Sequence, residues 1–306
     1  MTIISSINNG IWLFLKQNHT KLYPGGSTMT YKIIGDSCLD LTKELKQDSH
    51  FQMIPLTLML EDKTIIDDET FNQKEFIRMV KASEDYPKTA CPSPEMFKEA
   101  YHCDAENIFV ITLSGPLSGS YNSAVLAKNL YEEEYGHKNI CVINSESASS
   151  GELNIALFIR DLCEQGLSFE EIEKEANAYR DRMKTYFVLE TLDTLKKNGR
   201  LTGLSAFIAT ALNIKPVMSA EKGEIIKLDQ ARGINKALQK MVEIAIKNGG
   251  NTEEKRLVIS HVNALERAEY VKELLCSKAK FREVVITDTA GVATVYANDG
   301  GIIVAL

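Results

Sequence analysis

Histidine, tryptophan and paired cysteine are what this sequence has least of. Its six cysteines (Cys38, Cys91, Cys103, Cys141, Cys163, Cys276) include no Cys-x-x-Cys pair and sit in apolar or helical contexts. That pattern argues against a disulfide framework or a zinc site and for free buried thiols in a reducing compartment. The five histidines show no metal-ligand spacing. No stretch approaches the ~18 apolar residues of a membrane span, and the apolar run at 11–15 is too short for a signal-peptide core. Positive charge is also scarce. Beyond residue 28, once Lys16 and Lys21 are set aside, 33 basic residues face 42 acidic ones, which argues against nucleic acid or an anionic membrane as partner. The expectation is a cytoplasmic protein that needs no metal or cofactor, inserts stably in no membrane, and meets small ligands or other proteins.

The 306 residues suffice for one large or two medium domains. Residues 1–28 stand apart: they hold no acidic residue, the only tryptophan (Trp12) and a Pro24-Gly25-Gly26 break. They read as an extension outside the fold, with an N-terminal α/β domain at 29–183 and a C-terminal α/β domain at 184–306.

Function is expected to centre on Ile111-Thr112-Leu113-Ser114-Gly115-Pro116-Leu117-Ser118-Gly119-Ser120-Tyr121. Residues 107–113 form the apolar, β-branched run of a strand buried on both faces, and 120–131 carries helical apolar spacing. The glycine-rich loop between them therefore lies at the C-terminal edge of a sheet. Ser118, Gly119 and Ser120 supply an N-terminal cap and leave backbone N–H groups facing outward, where a phosphate or carboxylate is favoured. Three known loops do not fit. Ser118 falls one residue too late for a Gly-x-Ser-x-Gly elbow, Ser120-Tyr121 replaces the Lys-Ser/Thr of a P-loop, and the glycine interval is wrong for a dinucleotide fingerprint. Taken alone, the stretch serves equally as a capped turn or as an anion site.

Strands are predicted at 31–35, 51–55, 57–60 and 138–143, and helices at 41–48, 71–83, 150–165 and 168–182. Asp36-Ser37-Cys38-Leu39-Asp40 reads as a polar turn at the same sheet edge as the central loop. In Pro87-Lys88-Thr89-Ala90-Cys91-Pro92-Ser93 the prolines hold off helix until Ser93 caps the one running to Tyr101. Thr89 is then a hydroxyl on a stiffened loop, with an ordinary turn threonine as the plain alternative. The alternation predicts a doubly wound sheet with hydroxyl-rich loops at its crevice. The second unit is read as a strand at 185–189, a helix at 191–197 ended by Gly199, and an apolar helix at 204–212 that is either core or a cavity wall. A hairpin at 214–218 and 224–229 follows. Arg232, Lys236 and Lys240 then form a basic stripe, solvated or docking, on a helix to about 247, and further elements lie at 257–261, 265–276, 283–287 and 301–306.

The ordered motifs Asp36-Ser37-Cys38-Leu39-Asp40-Leu41, Ile54-Pro55-Leu56, Lys88-Thr89-Ala90-Cys91-Pro92-Ser93, Leu117-Ser118-Gly119-Ser120-Tyr121, Gly199-Arg200-Leu201, Ile214-Lys215-Pro216 and Asn298-Asp299-Gly300-Gly301 resemble those of the DegV family from Met29 to the C-terminus. The resemblance implies two α/β domains with a lipid tunnel between them. It implies a carrier that binds a long-chain fatty acid and presents its carboxylate to the catalytic subunit of a fatty acid kinase for acyl-phosphate formation. By the same resemblance the carboxylate falls to Thr89 and Ser118, with Arg200 of the Gly-Arg motif in the shell around it and Arg232 toward the partner. Gly119, Ser120 and Ser37 support the loops. Where the family commonly has histidine before the final glycines, this chain has Tyr296, which donates a hydrogen bond but carries no positive charge. Asn144 replaces an aspartate usual before Ser145.

The residues fit that reading independently. A buried carboxylate needs donors, and Thr89, Ser118 and the free helix N–H groups offer them without a catalytic base. At ~0.8 kcal/mol per methylene, a tail of a dozen groups releases on the order of 10 kcal/mol before ordering costs. The rival from another class is a serine acyl-hydrolase or acyltransferase with Ser118 as nucleophile, for which only His261 is placed to act as base. A phosphate or sugar-phosphate binder using the same helix N-terminus is a third reading, and it predicts no apolar tunnel.

Overall fold

A computed structural model of the chain describes residues 30–201 and 213–306. The predicted extension at 1–28 and the predicted apolar helix at 204–212 lie outside the described residues. In chain order the first half comprises β1 (Tyr31–Asp36), β2 (Phe51–Ile54), β3 (Thr57–Leu60), β4 (Lys63–Ile66), α1 (Gln73–Ala82), β5 (Lys88–Ala90), α2 (Pro94–Tyr101), β6 (Asn107–Thr112), α3 (Ser120–Tyr135), β7 (Asn139–Asn144), α4 (Ser150–Glu164) and α5 (Phe169–Arg182). The second comprises β8 (Thr185–Val188), α6 (Asp193–Lys197), β9 (Ile214–Glu221), β10 (Glu224–Arg232), α7 (Ile234–Asn248), β11 (Arg256–His261), α8 (Leu265–Lys278), β12 (Glu283–Asp288), α9 (Gly291–Ala297) and β13 (Ile302–Ala305).

The first sheet is parallel throughout, in the order β2-β1-β6-β7. Every residue of β6 is buried, as a continuous apolar run between two covered faces requires. The second sheet is mixed and runs β10-β9-β8-β13-β11-β12, with β13 inserted antiparallel between β8 and β11. Helix α4 packs against β1 and β6 on one side and β11 and β13 on the other, which explains why eleven of its residues are buried. Its Asn154 donates to the carbonyls of Arg256 (3.2 Å) and Ala305 (3.4 Å) and accepts from the Tyr179 hydroxyl (2.9 Å), so this buried amide ties α4 to two strands of the mixed sheet and to α5. The fold is α/β, with this helix as a layer shared by its two larger sheets. Among the described residues no helix is long and apolar enough to cross a membrane.

The predicted hairpin is β9 and β10, joined through Lys222 and Gly223 with φ of 50° and 80°, the left-handed pair that a two-residue hairpin turn needs. Several expectations need correcting. Residues 41–48 form no α-helix, only a short 3-10 turn at Leu45–Gln47. Asp40 sits at φ 50° and accepts from the Ala290 N–H (2.5 Å) and the Ser149 hydroxyl, so it is not available as a cap, while Leu41 and Leu45 are drawn into the core. The stretch around Thr89 is not a free loop. Lys88–Ala90 pairs antiparallel with β3, which also pairs with β4, in a third, three-stranded sheet. Arg232 ends a strand rather than sharing the helix face, because Gly233 is the residue that caps α7. Lys240, the other end of the predicted stripe, is paired with Asp229 at 3.0 Å. The six cysteines are free, but Cys91 and Cys276 are exposed rather than buried. Helix α9 has no counterpart among the predicted elements.

Candidate functional site

The central loop is held from below by a buried carboxylate. Asp36, at the end of β1, accepts from the N–H of Leu113 (2.9 Å) and of Cys38 (3.1 Å), and burial pushes its carboxyl up to about 6. Asn144 does the same for the next stretch of the loop: its side-chain oxygen accepts from the N–H of Gly115 at 3.0 Å, so the acceptor role open to an aspartate here is kept without the charge. The N–H groups of Leu117 and Ser118 both return to the Ser114 carbonyl, at 2.9 and 3.0 Å. This folds the loop so that the Ser118 hydroxyl accepts from the Ser120 N–H at 3.2 Å and donates to the Ser120 hydroxyl at 3.2 Å. Gly119 is the N-cap residue of α3. A Cβ on it would stand 2.8 Å from the Cys91 sulfur, so glycine is what lets the strand carrying Thr89 approach this loop.

Arg200 arrives from the other half of the chain. Helix α6 ends in a Schellman-type turn, with Gly199 at φ 73° and the Arg200 N–H returning to the Leu195 carbonyl at 2.8 Å. The guanidinium donates to the carbonyls of Leu117 (3.2 Å) and Asn198 and lies 5.8 Å from the centre of the Tyr296 ring. No acidic side chain pairs with it among the described residues. Asn198 in turn donates to the Pro87 carbonyl at 2.8 Å, which ties the Arg200 turn to the Thr89 strand.

Tyr296 stands on α9, whose first N–H groups are gripped by two buried carboxyls. Gly291 and Val292 donate to Asp67 at 2.6 and 2.9 Å, and Ala290 donates to Asp40. Burial pushes Asp40 up to about 8 and raises Asp67. The outcome is a hydroxyl pair, Thr89 Oγ1 to Tyr296 OH at 2.9 Å, with neither hydroxyl fully buried.

These groups share one cavity, to whose lining Thr89, Ser118, Arg200 and Tyr296 contribute polar groups. A few convergent polar groups in a concave, chiefly apolar wall suit a small ligand. The rest of its wall is chiefly apolar. Leu113, Leu117, Ala148 and Cys38 come from the loops at the C-terminal edge of the parallel sheet, and Val292, Ala293 and Ala297 from α9. Phe187, Leu189, Ile303 and Ile225 come from one face of the mixed sheet.

Ser37 and Ser120 are buried and do not line this cavity; Ser37 accepts from the Leu56 N–H at 3.1 Å, so it fixes the chain where β3 begins. Arg232 borders a different hollow with Lys215 and Lys236. His261 is 3% exposed, accepts from the Ala264 N–H at 3.3 Å and faces Asp288 at 3.4 Å, away from the cavity. Among the described residues no histidine lines the cavity. Sequence reasoning missed the α9 wall. Its signal was present in Val292-Ala293-Thr294-Val295-Tyr296-Ala297, where positions 292 and 296, and 293 and 297, share a helix face.

Comparison with known proteins places the chain in a family. Residues 30–306 match the family model described as uncharacterised protein, DegV family. A DegV domain-containing protein of Streptococcus gordonii is 37% identical over 279 residues, which is 90% of this chain and 98% of the relative. Among solved structures, a DegV-family protein from Ruminococcus gnavus refined with vaccenic acid superposes with a TM-score of 0.89 at 49% identity, covering 91% of this chain and all of the other. The fatty acid kinase B3 protein of Streptococcus pneumoniae, loaded with linoleic acid, superposes with a TM-score of 0.83 at 34% identity over 90% of this chain and 99% of the other.

Proposed function

The chain belongs to the DegV family, and from that premise we propose that it is a carrier that holds a long-chain fatty acid and presents the carboxylate to a separate kinase subunit for acyl-phosphate formation. The observation that carries the reading is one cavity that brings Thr89, Ser118, Arg200 and Tyr296 together with a chiefly apolar wall. The Thr89–Tyr296 pair donates its free hydroxyl proton to the carboxylate, Ser118 does so by turning its hydroxyl from Ser120, and the Arg200 guanidinium, unpaired with acid among the described residues, supplies charge. A tail of a dozen methylenes in such a wall is worth on the order of 10 kcal/mol before ordering costs. The chain's own residues bind, orient and keep water from the tail; the phosphoryl chemistry belongs to the partner. Related proteins refined with vaccenic acid and loaded with linoleic acid support the ligand class.

The test is reconstitution with a fatty acid kinase catalytic subunit, ATP and labelled oleic acid. Wild type should support acyl-phosphate formation, and Thr89→Ala/Ser118→Ala should lose both lipid retention and product. Unchanged retention and product in that variant would remove both residues from the site. Turnover of an ester by the chain alone, abolished by Ser118→Ala, would favour a hydrolase instead.

A further inference from the structure

Ser120 is fully buried and does not line the cavity, yet its hydroxyl joins a group that does to one far from water. On one side Ser118, in the cavity wall, donates its hydroxyl to Ser120 Oγ at 3.2 Å. On the other, the Ser120 hydroxyl donates to the fully buried Asp36 carboxyl at the end of β1. Asp36 is otherwise held by the N–H groups of Leu113 and Cys38, at 2.9 and 3.1 Å, whose direction the backbone fixes. The two serine hydroxyls are free to rotate, so the line from Ser118 to Asp36 has two possible directions. With an ionised Asp36 both protons point inward, toward the acid.

A carboxylate at Ser118 asks for the opposite direction. If Asp36 stays ionised, Ser118 turns alone, its bond to Ser120 Oγ is broken, and two like charges are left on one short line of side chains. If Asp36 takes up a proton, its O–H donates to Ser120, Ser120 to Ser118, and Ser118 to the ligand, so every bond of the line is kept. The titratable groups around Asp36 are themselves buried acids: the Cys38 thiol from the turn after β1, Asp67 from the segment after β4, and Glu152 from α4. None of them neutralises a charge on Asp36, and burial already brings its carboxyl up to about 6. We propose that Ser118, Ser120 and Asp36 form a hydrogen-bond relay that reverses when a fatty acid binds, so that the anion is taken up together with a solvent proton held on Asp36. This rests on the fatty-acid reading above and deepens it: Asp36 and Ser120 are positioning residues that act on the head group through Ser118, and they tie affinity to pH. The bound anion raises the proton affinity of Asp36, so binding is strongest below about pH 6, weakens as pH rises through the ligand-bound value, and levels off above it. Keeping one neutral hydrogen bond and avoiding the repulsion is worth about five- to tenfold in affinity.

The test is calorimetric titration of dodecanoic acid, below its micelle concentration, into delipidated full-length protein from about pH 5.5 to pH 8.5, where the free acid is ionised throughout. Wild-type affinity should fall about five- to tenfold across that range. Repeating the titration near pH 7 in two buffers of different ionisation enthalpy counts protons directly, and uptake of roughly 0.2–0.4 proton per acid bound is expected. Ser120→Ala cuts the relay while leaving Asp36 its two N–H donors; its affinity should stay near the wild-type value at high pH, with a slope under about twofold. Binding by wild type with no pH slope and no proton uptake overturns the relay and leaves the carrier reading intact. So does a Ser120→Ala variant that keeps the wild-type slope, since the titrating group then lies elsewhere. The proton count needs no variant, so it decides the matter even if Ser120→Ala does not fold. No binding of the acid by wild type at any pH overturns the carrier reading itself.

Discussion

Replacing Tyr296 with phenylalanine isolates one oxygen atom of the polar end. The ring would stay packed beside Val292 and Leu189 and under the Arg200 guanidinium, since the contacts of the ring do not involve the hydroxyl. What is lost is the hydroxyl 2.9 Å from Thr89 Oγ1. Tyr296 and Thr89 are only partly buried, so water satisfies Thr89 in the free variant, and folding stability should change by less than ~1 kcal/mol. A hydrogen bond to a charged acceptor is worth ~1.5–3 kcal/mol, so the dissociation constant for a fatty acid should rise roughly 10- to 150-fold. The assay is displacement of a fluorescent fatty acid by oleic acid and, in parallel, by the alcohol of the same chain. The alcohol carries no charge, so its affinity should fall by only a few-fold. Equal weakening of acid and alcohol would mean the hydroxyl shapes the cavity without touching the head group. No weakening of either would refute the placement of the carboxylate beside Tyr296.

Three further outcomes concern buried charged groups. Asp67→Ala leaves two N–H groups at the start of α9 without their acceptor, and should cost ~2–3 kcal/mol, read as a melting temperature lower by roughly 5–10 °C. Arg256, 2% exposed between Asp161 (2.8 Å) and Glu283 (2.6 Å), should cost ~3–5 kcal/mol as alanine and less as methionine, by urea denaturation. Asp40 is held protonated to about pH 8 by burial against a usual value near 3.8. The folded state therefore binds the extra proton between those values, and stability should fall as pH rises through that window and level off above it. Asp40→Asn should make urea midpoints between pH 5 and pH 8 less steep, and a steeper dependence in the variant would contradict the assignment.

Local signals were legible where local chemistry decides. The run at 107–113 became β6, Ser93 caps α2 through its bond to the Met96 N–H, and Glu171 closes a capping box with Ser168 at the start of α5. The hairpin was visible in the runs at 214–218 and 224–229. Elements decided by long-range partners were not. The helix expected at 41–48 gives way because Asp40 bonds to residues 149 and 290, a partnership that no window of sequence contains. The Lys88–Ala90 strand exists because β3 offers it an edge. Thr89 and Ser118 line one cavity, whereas the α9 wall depends on two halves of the chain meeting, through Asp40 and Asp67.

The most direct measurement is mass spectrometry of an organic extract from the full-length protein, purified without detergent and quantified against protein. A fatty acid carrier should yield close to one long-chain fatty acid per chain, depleted in Thr89→Ala/Ser118→Ala. A folded wild-type protein whose extract holds no fatty acid, and which takes up none when oleic acid is supplied, would contradict that role.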